Sequence, residues 1–142
     1  MREQKDRCIF FVLENFFFLI PLPFVDKVIG NPLAEGVNPE TGYVDLWEGS
    51  GKDEKNKYWI LFSSGDEILG MPASEVLGFP DIGESRIWEL PEQVYREQNR
   101  YISAAVAVRT EDGKTKLAYL LDAGELRNWK KAAQGAEGSG RI

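Results

Sequence analysis

The chain has no histidine and a single cysteine, Cys8. The missing imidazole is the side chain best suited to acid–base work near neutral pH. Its absence excludes Ser-His-Asp and Cys-His nucleophilic arrangements. With one thiol and no imidazole, a zinc, haem or copper site built from this chain alone is not expected. A carboxylate-only site for Mg²⁺ or Ca²⁺ stays open. One cysteine forms no intrachain disulfide, which suits a reducing compartment. Its place in the run CIFFVL makes it a small buried hydrophobe rather than a reactive thiol.

Long apolar runs are also lacking. The stretch from Cys8 to Val25 is broken by Glu14, Asn15, Pro21 and Pro23, so it is too short and too interrupted to span a bilayer. It has no A-x-A-like cleavage site, so it does not read as a signal peptide, and a cytoplasmic location is expected. Basic residues are in deficit: 17 Lys and Arg stand against 23 Asp and Glu, a net charge of −6. That balance opposes phosphate backbones and anionic lipid and favours solubility. The local basic group of Arg127, Lys130 and Lys131 is diluted by Glu125.

What is present is core-forming material. Apolar residues make up 43% and aromatics 12% of 142 residues, enough for one domain or two small intertwined subdomains. Residues 1–7 read as a polar arm, 8–133 as the folded unit and 134–142 as a disordered Gly/Ser-rich tail. Cys8 to Leu13 and Phe16 to Ile20, joined at Glu14-Asn15, read as a β-hairpin. Both strands are apolar on both faces, so the hairpin must be covered twice. One helix from Cys8 to Leu22 fits less well with the β-branched and aromatic content.

Past Pro21 and Pro23, the spacing of Val25, Val28 and Ile29 predicts a short helical turn that Gly30 ends. Asn31 to Thr41 reads as loop and Gly42 to Trp47 as a short strand. Glu48 to Lys57 has no apolar residue and reads as a mobile connection or hairpin tip. Tyr58 to Phe62 and Glu67 to Met71 are strands about a Ser64-Gly65-Asp66 turn. Ala73 to Phe79 is a short segment, Ile82 to Leu90 alternates weakly, and Pro91 to Arg100 is loop or one helical turn. Tyr101 to Val108 and Lys116 to Leu121 form a second hairpin about Glu111-Asp112-Gly113. Asp122, with Glu125 three residues on, caps a last helix from Ala123 to about Ala133. Many short strands without βαβ alternation point to small barrels or a sandwich.

Chemistry-bearing motifs are few. Gly49-Ser50-Gly51-Lys52 resembles part of a phosphate loop, but Leu46 and Asp53 stand where that motif needs Gly and Ser or Thr. It reads as a flexible turn. The pairs Asp45 with Glu48 and Glu111 with Asp112 sit on expected turns, which do not split carboxylate pKa values for catalysis. Trp47, Trp59, Trp88 and Trp129 are scattered, without the interleaved basic residues that base stacking needs. No catalytic, cofactor-binding or metal-ligating residue is assigned, and no enzyme activity is expected.

The run CIFFVLENFFFLIPLPFVDKVI resembles the opening of a CheW-like domain, the coupling module of bacterial chemotaxis. Phe11, Leu13, Phe18, Ile20, Pro21, Val25 and Val28 fall on that family's apolar positions. Tyr43-Val44-Asp45-Leu46 resembles its P-V-x-D-L strand, and Leu69-Gly70-Met71 with Ala73 to Val76 its G-L-x-V-D-x-V segment. Leu90-Pro91, Tyr101-Ile102 and Leu120-Leu121-Asp122 with Leu126 resemble its closing elements in order. The chain departs from the pattern in three places. Asn31 to Gly42 lacks the arginine-bearing G-x-x-N-x-R-G segment, Ser74 replaces Asp, and Ala104 replaces Gly.

The resemblance implies a mainly β fold of two small SH3-like five-stranded barrels around a shared core, with a short C-terminal helix. It implies a non-catalytic adaptor between the regulatory domain of a CheA-type histidine kinase and the cytoplasmic tip of a chemoreceptor. The partner-binding candidates it marks are Val25, Lys27, Val28, Ile29, Asp45 and Leu46, with core packing the competing role for the valines and Ile29. A small regulatory or ligand-binding β-barrel is the alternative reading. A carboxylate hydrolase would instead show a metal-dependent activity lost on changing one Asp or Glu.

Overall fold

A computed structural model describes residues 6–37, 42–44, 46, 49–89 and 101–127. The chain opens with the expected hairpin, β1 (Cys8–Leu13) and β2 (Phe16–Pro21) in unbroken antiparallel register. Glu14 and Asn15 both have positive φ, 49° and 69°, as a two-residue type I′ turn requires. The sequence then forms β3 (Val25–Gly30), β4 (Gly42–Tyr43), β5 (Tyr58–Ser64) and β6 (Glu67–Ala73). It continues with β7 (Glu75–Gly78), β8 (Ile87–Glu89), β9 (Ile102–Arg109) and β10 (Thr115–Leu121). Residues 123–127 are helical, capped by Asp122, whose Oδ1 accepts from the Glu125 N–H at 3.0 Å.

The fold is mainly β, with two sheets about a shared core and one short helix. The strands divide unequally, six and four, where five and five were expected. The larger sheet runs β7-β1-β2-β10-β9-β8, and the smaller β3-β5-β6-β4. The division follows from the crossings. The chain leaves the larger sheet at a 3-10 turn, Leu22–Phe24, opened by Pro21 and Pro23. It returns at Ser74, where the N–H and Oγ both donate to the Val12 carbonyl, at 2.8 and 3.2 Å. That bond delivers β7 to the free edge of β1, so the larger sheet gains a sixth strand.

The first hairpin is indeed covered twice. Ile9, Phe11, Leu13, Phe18 and Ile20 join Ile60, Phe62, Leu69 and Met71 in the cluster between the sheets. Cys8, Phe10 and Leu19 face the other way, onto Val106, Val108, Ala118 and Ile82. Period-2 alternation sorts an all-apolar strand into two cores. Each fully buried large side chain contributes about 1.5–3 kcal/mol by leaving water.

Three expectations need correction. Val25 to Ile29 is a strand, not a helical turn. A bulge between Val25 and Lys27 sets Val25 opposite Phe62 and Val28 opposite Ile60, so residues three apart share a face. The stretch after Glu48 is not a free connection over its described part. Ser50–Lys52 is a 3-10 turn, and Ser50 and Asn56 are buried. Asn31 Nδ2 donates to the Gly51 and Asn56 carbonyls at 2.8 and 2.7 Å, and Asn56 Nδ2 to the Ser50 carbonyl at 2.8 Å. Asp6 and Arg7, placed in the polar arm, are fastened: Asp6 accepts from the Ile82 N–H and Arg7 from the Leu22 N–H. Residues 1–5, the Pro91–Arg100 segment and everything beyond 127 lie outside the described residues.

Candidate functional site

Among the described residues, β3, which carries four of the expected binding residues, is an edge strand of the smaller sheet. Its side chains divide. Val25 and Val28 are half-buried against the inter-sheet core. Lys27 and Ile29 are exposed, on the face shared with Leu61 and Trp59. Leu46 is wholly buried in the inter-sheet core, so it serves packing and not a partner surface. Asp45 lies outside the described residues.

Where the chain leaves the larger sheet, just before β3, a slot of about 170 Å³ opens, lined by Pro21, Phe24, Ser103, Leu120, Leu121, Asp122 and Ala123. Phe24 is exposed at its mouth. Ser103 is the extra residue of a bulge between β9 and β10, and its Oγ donates to the Leu120 carbonyl at 3.1 Å. The slot is below the roughly 300–1,000 Å³ of small-molecule pockets, and its walls are mostly apolar. It has the size and chemistry to take an apolar side chain from another protein. None of its residues was marked by the sequence. Strand-ending prolines followed by Phe24 were the available signal, but the slot's other wall comes from β10, far along the chain.

The helix that closes the slot is tied to both sheets. The Asp122 N–H donates to the Tyr101 carbonyl at 2.7 Å, on the β9 side. Ser64 Oγ donates to the Ala123 carbonyl at 2.7 Å, on the β5 side. Arg127 reaches over the β5–β6 turn. Its Nε lies 3.3 Å from Glu67 Oε2, an ion pair without hydrogen-bond alignment, and its Nη2 lies 3.7 Å from Asp66 Oδ1.

Reactive chemistry finds little support. Among the described residues there is no group of three or more Cys, Asp or Glu side chains placed to hold a metal. The Glu111–Asp112 pair sits on an exposed turn, where the Thr110 hydroxyl bond, then the Lys114 N–H, holds the Asp112 carboxyl below its usual value. Burial, helped by Asp6 and Asp81, pushes the Cys8 thiol up to about 12, so it is an inert core thiol. In the Gly49–Lys52 turn, asparagine amides bond the Ser50 and Gly51 carbonyls, and Gly51 packs against Leu33. No described helix is long and apolar enough to cross a membrane.

No family model matches the chain, and no curated protein matches it by sequence. Among solved structures, the scaffolding protein TtCheW of Thermoanaerobacter tengcongensis is similar. The likeness covers 86% of this chain and 92% of that one, with a TM-score of 0.54 and 11% identity. The chain has a CheW-like fold. At 11% identity the likeness concerns backbone architecture, and it spans both sheets rather than one.

Proposed function

We propose that the protein is a non-catalytic adaptor that works by protein–protein binding in chemotaxis-type signalling. Its partners on this reading are the regulatory domain of a CheA-type histidine kinase and the cytoplasmic tip of a chemoreceptor. The observation that carries the proposal is an apolar slot where the chain enters an edge strand, on a fold shared with a scaffolding protein. Such a surface offers an apolar slot edged by Asp122, beside a strand with exposed Asp26 and Lys27, and an apolar centre with polar surroundings is the usual anatomy of a binding patch. Among the described residues no strand pairs with the outer side of β3, which can accept a partner strand, and the exposed Phe24 and Ile29 add apolar area there.

The test is a titration of the purified protein against the regulatory domain of a CheA-type kinase. Saturable micromolar binding is expected, weakened by Phe24→Asp and by Lys27→Glu with the unfolding curve unchanged. Binding that ignores both substitutions rules out this surface. No binding at high concentration overturns the chemotaxis reading.

A further inference from the structure

The slot is lined by the crossing turn, the larger sheet and the start of the helix, and none of its lining residues belongs to the smaller sheet. Two of them nevertheless rest on one strand of that sheet. β5 ends in Phe62, Ser63 and Ser64, and period-2 alternation puts Phe62 and Ser64 on the face turned to the shared core. Phe62 pairs with Val25, the residue after Phe24, so the end of β5 fixes where the crossing turn lies. Two residues on, the Ser64 hydroxyl donates to the Ala123 carbonyl at 2.7 Å. Phe24 and Ala123 are thus located by neighbouring residues of the same strand.

Ser64 is 1% exposed, and a hydroxyl buried that far is costly unless it is hydrogen-bonded. Its bond reaches 59 residues along the chain, from a strand of the smaller sheet to the first residue of the helix. A helix confined to residues 123–127 is too short to hold its own place, so its position is set by what fastens it. The Asp122 N–H, bonded to the Tyr101 carbonyl, ties its start to the larger sheet, which already lines the slot through Ser103, Leu120 and Leu121. Ser64 ties the same start to the strand that carries the other wall. At the helix's far end Arg127 lies over Gly65, where a Cβ would come within 2.6 Å of Nη1. The turn that follows Ser64 therefore seats the helix as well.

We infer that Ser64 is a positioning residue for the slot. Its hydroxyl sets where Ala123 stands relative to Phe24, and with that the fit of an apolar side chain from a partner. Ser64 touches no partner itself, because it is buried and is not among the lining residues. The inference deepens the adaptor reading and, where it concerns affinity, rests on it.

The test compares Ser64→Ala, which removes only the hydroxyl, with Ile60→Val, a mild truncation at a wholly buried site further back on β5. Each full chain is followed by amide hydrogen exchange and titrated against the regulatory domain of a CheA-type kinase. The Asp122 and Leu126 N–H groups report on the start of the helix, since they donate to the Tyr101 and Asp122 carbonyls. In Ser64→Ala both should exchange about tenfold faster relative to the β1–β2 amides, and affinity should fall about fivefold or more. In Ile60→Val any faster exchange should be even, and affinity should match the parent. Exchange at Asp122 and Leu126 that rises no more than elsewhere overturns the inference, whether or not a partner binds. Unchanged affinity of Ser64→Ala for a domain that the parent binds overturns it too. A parent that does not bind overturns the adaptor reading instead, and the exchange result then decides the positioning role by itself.

Discussion

The two sheets meet the same requirement by different means. Each turns one face to the shared core, and each must also cover its other face. The six-stranded sheet does so with its own side chains: Cys8, Phe10, Leu19, Val106, Val108 and Ala118 form a second apolar cluster closed by Ile82. The four-stranded sheet uses loops. Trp59, fully buried on that face, lies flat across Gly70, with the Tyr43 ring 5.8 Å away. Leu33 and Gly51 pack close together in the loops beside Tyr43. Those loops are held by asparagine amides on backbone carbonyls rather than by apolar area. Apolar strand side chains cover one sheet, whereas the cover of the other also depends on hydrogen-bonded loops. The first is non-directional and tolerant, whereas the second fails abruptly when one donor is lost.

Substitutions can break or sharpen this contrast. The largest effect should come from the core that both sheets share. Phe11→Ala, at a fully buried position, should cost about 4 kcal/mol and lower both sheets together in one denaturation transition. Next is Gly70→Ala. A Cβ there would overlap the packed Trp59 indole, so the loss should be about 3 kcal/mol. Near-UV circular dichroism should report displacement of Trp59, and an unchanged spectrum would refute the close packing.

Asn31→Ala leaves two buried carbonyls without their donor and should cost about 2 kcal/mol. Its signature should be local: faster proteolysis and hydrogen exchange in residues 49–57, with the six-stranded sheet still protected. Uniform loss of protection would mean that the loops and the larger sheet open as one unit. Arg127→Gln should cost only about 0.5 kcal/mol, because the pair is partly solvated, and high salt should erase the difference.

At neutral pH the buried thiol should have no effect at all. The Cys8 pKa rises on folding from its ordinary value of 9.0 to about 12. Between those values the unfolded chain loses a proton that the folded chain keeps, so stability falls as pH rises through that window. Tyr101, whose phenol is also pushed upward by burial, adds to the loss at the alkaline end. Cys8→Ala should flatten the fall, and an unchanged alkaline limb would exclude the thiol as its source.

The sequence exposed those parts of the fold that depend on neighbours in the chain. Glu14-Asn15 between two apolar runs, and Glu111-Asp112-Gly113 between two others, located both hairpins because turn chemistry is local. Its misreadings were equally physical. Val25 and Val28 looked helical because a bulge restores a three-residue period inside a strand. Residues 49–57 looked mobile because their carbonyls are bonded by Asn31, which lies some twenty residues earlier. Leu46 looked like surface because the motif around it marks a strand without saying which side is covered.

By itself, then, the sequence determined that this chain is β-rich, contains a two-sided apolar hairpin and carries no imidazole chemistry. Those properties follow from residue types and their period. Only the tertiary structure decided how strands divide between sheets, which strands lie at the sheet edges and where the slot forms. Each of these depends on contacts between segments far apart in the chain, such as Leu19 with Leu120 or Val12 with Ser74, whose pairing no local pattern encodes.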